Sequence, residues 1–407
     1  MIRFLKKLGP GLLFAGAAIG VSHLVQSTKA GAEFGFGLIW ALLLCNFFKY
    51  PFFFFGTKYV HATGNTLLDG YKEIHKSVLA IYFVFSLVTI FTIQAAVTIV
   101  TAGLAIELFG ITENITIWAV TIIIISYLIL VIGKYKLLDN LIKVIILILG
   151  ISTVIAVIVA SSNNEINISF SQIIPNEMEG IIFLAAFMGW MPGPLDISIW
   201  QSIWTKEKLK IDNNINYKTS VFDFNVGYLT TVLLGLCFVG LGAYVMFGSG
   251  EKFSDQGGVF ATQLINLYTT NLGDGMLFFI AIAAFTTMFS TTITCLDASP
   301  RAMSKTISLL NFNKLNSYES WILILSIGTI SIFVFFVSEM GSLVKIATIL
   351  SFITAPLYAI INYLLVSGKQ MPENHKISLT MKIYSILGII FLSFFSIWYI
   401  SLLKFYH

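Results

Sequence analysis

Charged side chains are scarce in this sequence: they make up 11% of its 407 residues, against about a quarter in ordinary soluble domains. Cysteine is also rare, and all three cysteines lie inside apolar runs, which excludes a disulfide framework or a cysteine-based metal site. The net charge of +4 is too small to suggest a nucleic-acid partner. These shortages exclude a soluble enzyme, a nucleic-acid-binding protein and a disordered chain.

Long apolar runs are what the sequence has in abundance: hydrophobic residues reach 57%, and 36 residues are phenylalanine. Runs of about 20 apolar residues have the length of a transmembrane helix, and helices satisfy their own backbone hydrogen bonds within the bilayer. The sequence therefore predicts an all-α polytopic membrane protein. The eleven predicted spans are approximately residues 10–36, 37–61, 77–108, 114–133, 139–161, 180–204, 222–248, 272–298, 318–337, 341–366 and 379–404.

The distribution of basic residues indicates how these spans are oriented. With the N-terminus inside, most of the 24 Lys and Arg residues fall in the inner segments, whereas the predicted outer loop at 162–179 has none. This is the positive-inside pattern of membrane proteins. We therefore expect a multi-pass protein of the plasma (inner) membrane with a cytoplasmic N-terminus and an extracytoplasmic C-terminus.

Two of the spans, five apart, contain residues that interrupt helices. Span 1 has Gly16, Gly20 and Ser22 near its middle, and span 6 has the run Met191-Pro-Gly-Pro194. Each proline removes a backbone donor and clashes with the preceding turn. Two broken spans at equivalent positions are typical of the inverted repeats of secondary transporters, in which the breaks mark the substrate site. The alternative is two ordinary helix kinks.

Several motifs resemble one transporter family. The segments GPGLL, KAGAEFGFGLIWALLLCN and ATGNTLLDGY, LFGI at 108–111, and Met191-Pro192 are similar to motifs of the Nramp family of divalent-metal transporters. The resemblance implies a LeuT-like fold of two inverted five-helix repeats plus one extra helix, in a single transmembrane domain over residues 1–407. The repeats are then expected at about 8–161 and 180–366, and the extra helix at about 379–404.

The sequence departs from the family pattern at the positions where the family binds metal and carries protons. Gly20 stands where the family has its metal-binding Asp, His23 replaces an Asn, and Gly193 replaces a His. The acids of the family's third helix correspond to Gln94 and Val97, so family-type proton coupling is not expected.

The remaining polar groups near the breaks define a candidate site. We predict that substrate is bound by Ile19, Gly20, Ser22, His23, Met188, Met191 and Asp196. Imidazole, thioether and carboxylate ligands from His23, Met191 and Asp196 would suit a transition metal better than Mg²⁺. In the alternative interpretation, His23 is a polar gate bonded to a carbonyl and Asp196 caps a half-helix.

Four further polar residues are candidates for coupling or gating. Lys29 and Glu33 are four residues apart in span 1 and can pair on one helix face. Lys49 lies in the middle of span 2, where an unpaired ammonium is strongly disfavoured, so Asp196 and Asp223 are candidate partners. Alternatively, the ammonium replaces a coupling cation. Gln94 is the fourth, in span 3.

Three functions remain open at this point. The first is a secondary transporter of a divalent metal such as manganese or iron, working by alternating access. The second is a related porter of an amino acid or small organic anion, because a half-helix N-terminus can hold a carboxylate. The third is a channel or a membrane sensor. No enzyme motif, phosphate-binding loop or cofactor motif is found in the sequence, so we expect neither an enzyme nor a bound cofactor. The expected partners are the lipid bilayer and a small transported solute.

Overall fold

The fold is built from α-helices throughout the part of the chain that the structure describes. This computed structural model describes residues 8–163, 169–212, 214–248, 254, 259, 262–265, 274–312, 316–336 and 340–405. The α-helices are α1 Pro10–Ala18, α2 Thr28–Phe34, α3 Ile39–Thr63, α4 Leu67–Ile74, α5 Lys76–Phe109, α6 Ile115–Asn163, α7 Met178–Trp190, α8 Ile197–Ile211, α9 Tyr217–Met246, α10 Asp274–Leu309, α11 Tyr318–Phe335, α12 Met340–Ser367 and α13 Leu379–Phe405. The predicted all-α class is confirmed.

Both interruptions predicted from sequence are present. Between α1 and α2 the helix gives way to residues 19–21 and a π-helical turn, Ser22–Ser27, and the two halves of the span are bent by 53°. Between α7 and α8 the chain is non-helical from Met191 to Asp196. The run of prolines explains the second break, because Pro192 and Pro194 have no N–H to continue the α7 ladder.

Helix α6 contains two of the predicted spans. Its 49 residues would extend about 74 Å at 1.5 Å per residue, more than twice the roughly 30 Å of the bilayer core. The helical geometry breaks at Lys134, where φ is 48°. A Cβ on Gly133 would lie 2.3 Å from the Cβ of Leu137, so only glycine fits this turn. Between the spans predicted at 114–133 and 139–161, the helix is thus interrupted at a single residue.

The number of spans is approximately that of the prediction once the broken elements are combined. Eight helices of the described chain are long and apolar enough to cross a membrane, and the pair α1–α2 adds a ninth span. Dividing α6 at Lys134 and joining α7 with α8 gives the eleven spans expected.

The broken first span packs directly on the backbone of α9 through glycine pairs. A Cβ on Gly227 would lie 1.9 Å from the carbonyl oxygen of Gly11. On the other half, a Cβ on Gly31 would lie 2.0 Å from the carbonyl oxygen of Val239, and one on Gly242 equally close to that of Thr28. Small residues let membrane helices approach this closely. Helix α9 therefore fixes the positions of both halves of span 1.

Candidate functional site

His23 is fully buried at the break in span 1, and hydrogen bonds engage both of its ring nitrogens. Its Nε2 lies 3.0 Å from the carbonyl oxygen of Thr231 on α9, so this nitrogen carries the proton and donates. Nδ1 of the neutral ring then accepts from the hydroxyl of Ser22, at 2.9 Å. The Ser22 oxygen also lies 3.2 Å from the carbonyl oxygen of Pro192, so Ser22 is positioned where the two breaks meet, while its single proton is donated to Nδ1. This arrangement matches the gate interpretation, and a metal reaches the ring only if Ser22 moves.

Thr291 on α10 belongs to the site but was not predicted from the sequence. Its hydroxyl lies 3.0 Å from the carbonyl oxygen of Gly16 and 2.9 Å from that of Ile19, two acceptors that the break leaves without helical partners. A Cβ on Gly20 would lie 2.6 Å from this hydroxyl oxygen. Thr291 therefore occupies the space that a side chain at position 20 would need. The signal in the sequence is the hydroxyl-rich run TTMFSTTIT, unusual in a membrane helix.

Lys49 on α3 is 1% exposed, and its ammonium lies at the C-terminal end of α7. Its Nζ donates to the carbonyl oxygens of Met188 at 3.1 Å, Gly189 at 2.5 Å and Met191 at 2.7 Å. The last carbonyls of a helix have no partner within it, and the helix dipole favours a cation there. Three N–H groups thus meet three acceptors, and the carbonyl of Met188 is not available for substrate.

The carboxylates predicted as partners of Lys49 do not pair with it, and that prediction was wrong. Asp223 on α9 instead accepts the backbone N–H of Gly9 at 2.9 Å and of Gly11 at 2.8 Å, and so caps the start of α1. Asp196 occupies the N-cap position of α8, but its side chain makes no capping hydrogen bond. Its Oδ1 is buried and has no hydrogen-bond partner within the described chain. The ammonium needs no carboxylate because the freed carbonyls satisfy it.

A cavity of about 40 Å³ lies between the two breaks. This volume is enough for a few water molecules or a bare ion and far below the roughly 300–1,000 Å³ of small-molecule pockets. Its walls are mostly apolar, including Val97, Trp190 and Trp200, with hydroxyls from Ser22 and Thr291. The indole N–H of Trp190 is buried and has no partner among the described residues. The cavity therefore has room for an ion or a few waters but not for a larger solute.

The three candidate metal ligands are not assembled as a coordination shell in this conformation. Both nitrogens of His23 are engaged, as described above, and the side chain of Met191 is completely buried. The methyl of Met191 and the ring of His23 both face Gly235 on α9, so these two side chains are neighbours. In the described part of the chain, no group of three His, Cys, Asp or Glu side chains is placed to hold a metal.

The predicted coupling and gating residues lie on three different elements. Lys29 and Glu33 form the expected pair, with Nζ 3.7 Å from Oε1 on α2. Lys29 also lies over the ring of Phe183 on α7, so it bridges the two broken spans. Gln94 on α5 is buried, and its amide donates to the carbonyl of Thr292 on α10 at 3.2 Å. It therefore ties α5 to α10 rather than facing the breaks.

Three ion pairs lie near the helix ends that the positive-inside pattern assigns to the cytoplasm, and two of them join different helices. They connect Asp69 with Lys305 at 2.6 Å, Asp139 with Lys208 at 2.8 Å, and Asp297 with Arg301 at 2.8 Å. Asp297 and Arg301 are four residues apart on α10, so this pair lies on a single helix. The Asp297 carboxylate also accepts from the indole of Trp204 at 2.9 Å and the hydroxyl of Tyr318 at 3.0 Å.

Asp69 lies on the short helix α4, outside the spanning segments. Burial opposes its ionisation, but hydrogen bonds from Lys305 and from Thr66 more than offset that effect and hold the pKa of Asp69 below its usual value. The charged form of this carboxylate therefore stabilises the contact between α4 and α10.

Comparison with known proteins identifies the family. The model of the natural resistance-associated macrophage protein-like family matches residues 11–402. An uncharacterised protein of Pasteurella multocida (strain Pm70) is 35% identical over 402 residues, which are 97% of this chain and 92% of that protein.

Solved structures show the fold. A crystal structure of the manganese transporter of Eremococcus coleocola, in complex with an aromatic bis-isothiourea substituted compound, superposes with a TM-score of 0.73 at 14% identity, over 97% of this chain and 86% of that one. A nucleobase-cation-symport-1 family transporter, in a closed conformation with bromovinylhydantoin bound, gives a TM-score of 0.59 at 14% identity, over 98% and 92%. The fold is thus the LeuT-like inverted repeat, as predicted. The protein is a multi-pass membrane protein that belongs to the Nramp family.

Proposed function

We propose that this protein is a secondary transporter that binds a divalent metal cation between the two helix breaks and moves it by alternating access. Family membership and the fold shared with a manganese transporter support the class of cargo. The observation that carries the location is the cavity between the breaks, where Ser22 of one broken helix lies beside Pro192 of the other. Irregular backbone at membrane depth is tolerated where it lines such a cavity.

The proposed metal ligands are His23, Met191 and Asp196, with backbone carbonyls. A metal that binds the imidazole replaces the Ser22 hydroxyl at Nδ1, while Nε2 keeps its bond to Thr231 and so fixes the ring. The thioether of Met191 favours a transition metal over Mg²⁺. Asp196 has one carboxylate oxygen without a partner, and it would supply the negative charge.

In the proposed cycle, the structure corresponds to a state in which the proposed ligands are not assembled around an ion. The ion pairs of Asp69, Asp139 and Asp297 would hold the cytoplasmic ends of the helices together and open when cargo leaves inward. Lys29 and Glu33 would gate the opposite side. The absence of acids at positions 94 and 97 argues against proton coupling of the family type. We place the protein in the plasma membrane with a cytoplasmic N-terminus, and the repeats at about 8–161 and 180–366.

A small organic solute with a carboxylate, such as an amino acid, is the second candidate cargo. It is favoured by the apolar walls of the cavity and by the unpartnered indole N–H of Trp190, which can donate to an anionic oxygen. A larger pocket would have to open, because about 40 Å³ does not admit such a solute.

Uptake of Mn²⁺ into proteoliposomes tests the proposal. We expect saturable uptake by the wild type, loss of uptake in His23→Ala, and weaker uptake in Met191→Leu, which removes the sulfur but keeps the volume. His61→Ala is the matched control, because His61 hydrogen-bonds Ser220 at the far end of α3 and touches neither break.

Two outcomes would contradict the metal proposal. Tight vesicles with folded protein and no Mn²⁺ uptake would argue against it, and so would full uptake by His23→Ala. In the first case, stabilisation of the protein by amino acids or organic acids, measured as a rise in Tm, would support the second candidate.

A further inference from the structure

The most unusual group in the membrane interior is the ammonium of Lys49. Its side chain ranks among the largest that are fully buried, and within the described chain no carboxylate pairs with it. A buried ammonium without compensation is strongly disfavoured. Something other than a negative side chain must therefore stabilise it.

The sequence of the break explains what stabilises it. In a continuous helix the carbonyl of Met188 would accept from residue 192, which is Pro192 and has no N–H. Beyond Trp190 the chain leaves the helix, so the carbonyls of Gly189 and Met191 also lack helical donors. The break thus creates three free carbonyl oxygens at the negative end of the α7 dipole.

Three carbonyl oxygens at a half-helix C-terminus form the kind of site that binds a monovalent cation in broken-helix transporters. Here the Lys49 ammonium lies 2.5 to 3.1 Å from all three oxygens. It carries the same unit charge as such a cation, and each of its three N–H groups has one acceptor. It reaches the site from α3, an unbroken helix.

We infer that Lys49 is a tethered cation that permanently occupies a monovalent-cation site formed by the carbonyls of Met188, Gly189 and Met191. The site is filled by the chain itself, so no Na⁺ or K⁺ has to bind there during the cycle. The link to a transport cycle rests on the proposed function, whereas the occupancy of the site does not.

The carbonyl site that holds the Lys49 ammonium lies next to the cavity between the breaks. Met188 and Met191 lie on either side of the point where α7 ends, and Trp190 between them lines the cavity between the breaks. A cation held on a neighbouring unbroken helix therefore ties the end of α7 to α3. Lys49 is a positioning residue in this arrangement and does not contact the cargo.

The test is to remove the ammonium and to offer small cations in solution. Full-length protein is purified as wild type, Lys49→Ala and Lys49→Met, and Tm is measured in choline chloride, NaCl, KCl and ethylammonium chloride at equal ionic strength. Alanine leaves space for a free cation, whereas methionine fills most of that space without a charge.

We expect the wild type to have the same Tm in all four salts. Lys49→Ala should melt several degrees lower in choline and recover at least half of that loss in NaCl, KCl or ethylammonium chloride. Lys49→Met should melt lower than the wild type in every salt without recovery. Lys208→Ala is the matched control: it also loses a buried ammonium, but the Asp139 carboxylate keeps its ion pair with Lys143 at 2.8 Å, so no cation-specific recovery is expected.

Three results would overturn the inference. One is a Lys49→Ala variant that folds in choline and gains nothing from any cation. Another is a Lys49→Met variant with the Tm of the wild type, which also decides the matter if the alanine variant does not fold in any salt. The third is a wild type stabilised by Na⁺ or K⁺ over choline to the same extent as the alanine variant. Since Tm needs no cargo, these outcomes are independent of whether Mn²⁺ is transported.

Discussion

The centre of the protein and its predicted cytoplasmic end both contain buried charge, but they stabilise it in different ways. At the centre, the Lys49 ammonium is bonded to three backbone carbonyls and, among the described residues, to no carboxylate. Near the end predicted to be cytoplasmic, the carboxylates of Asp69, Asp139 and Asp297 each bond a Lys or Arg. Where a helix is broken, its free backbone carbonyls compensate a buried positive charge. Where the helices are intact, acidic side chains must do so.

Among the charged groups compared, we expect the largest loss of unfolding free energy when the Asp297 carboxylate is removed. Asp297→Ala leaves Arg301 without its carboxylate and also leaves the hydroxyl of Tyr318 and the indole of Trp204 without an acceptor. Breaking a buried pair by removing one partner costs about 3–5 kcal/mol. Denaturant or thermal unfolding of purified protein should show this loss, and a loss below about 1 kcal/mol would mean that the pair is hydrated.

The pH dependence of stability should reveal the pair of Asp69 with Lys305. The folded pKa of Asp69 is below the unfolded value, so the charged carboxylate stabilises the fold above the unfolded pKa of about 4, and this contribution is lost as the pH falls through the folded pKa. The Tm difference between wild type and Asp69→Asn should be constant from about pH 7 to pH 5 and shrink below about pH 4. A difference that stays unchanged down to pH 3 would contradict this assignment.

The smallest effect is expected where the charged pair is exposed. Glu373 and Lys376 form an ion pair in the short 3₁₀ turn before α13, where the glutamate side chain is 88% exposed. Glu373→Gln should change the unfolding free energy by no more than about 0.5 kcal/mol, because water screens such pairs. If Glu373→Gln lost as much unfolding free energy as Asp297→Ala, burial would not explain the difference between exposed and buried ion pairs.

The fold could be predicted well from the sequence. The apolar runs predicted the spans, and the prolines predicted the position of the second break. The basic residues predicted which ends of the spans face the cytoplasm. The boundaries were less accurate: α10 continues through Pro300 to Leu309, beyond the predicted end at 298. A proline within a membrane helix is tolerated because neighbouring helices satisfy the freed carbonyl, and no local pattern reports those neighbours.

The breaks that define the candidate site were predicted correctly, but the bonding around them could not be derived. Thr291 was missed because its partners, Gly16 and Ile19, are some 270 residues away in the chain. Lys49 was identified as important, yet its partners are backbone atoms, which carry no signature of their own in a sequence. The assignment of His23, Met191 and Asp196 as metal ligands stays a prediction.

The sequence by itself determined where the helices run and where two of them must break, because span length and the chemistry of proline and glycine are local properties. Only the tertiary structure decided what fills the breaks. At the second break, three free carbonyls accept the Lys49 ammonium from α3, and no carboxylate is needed as its partner. At the first break, hydrogen bonds to Ser22 and to the carbonyl of Thr231 hold His23 against α9. These contacts depend on which helices pack together, and that is set by the close approach of α9 to span 1 and of α3 to the end of α7.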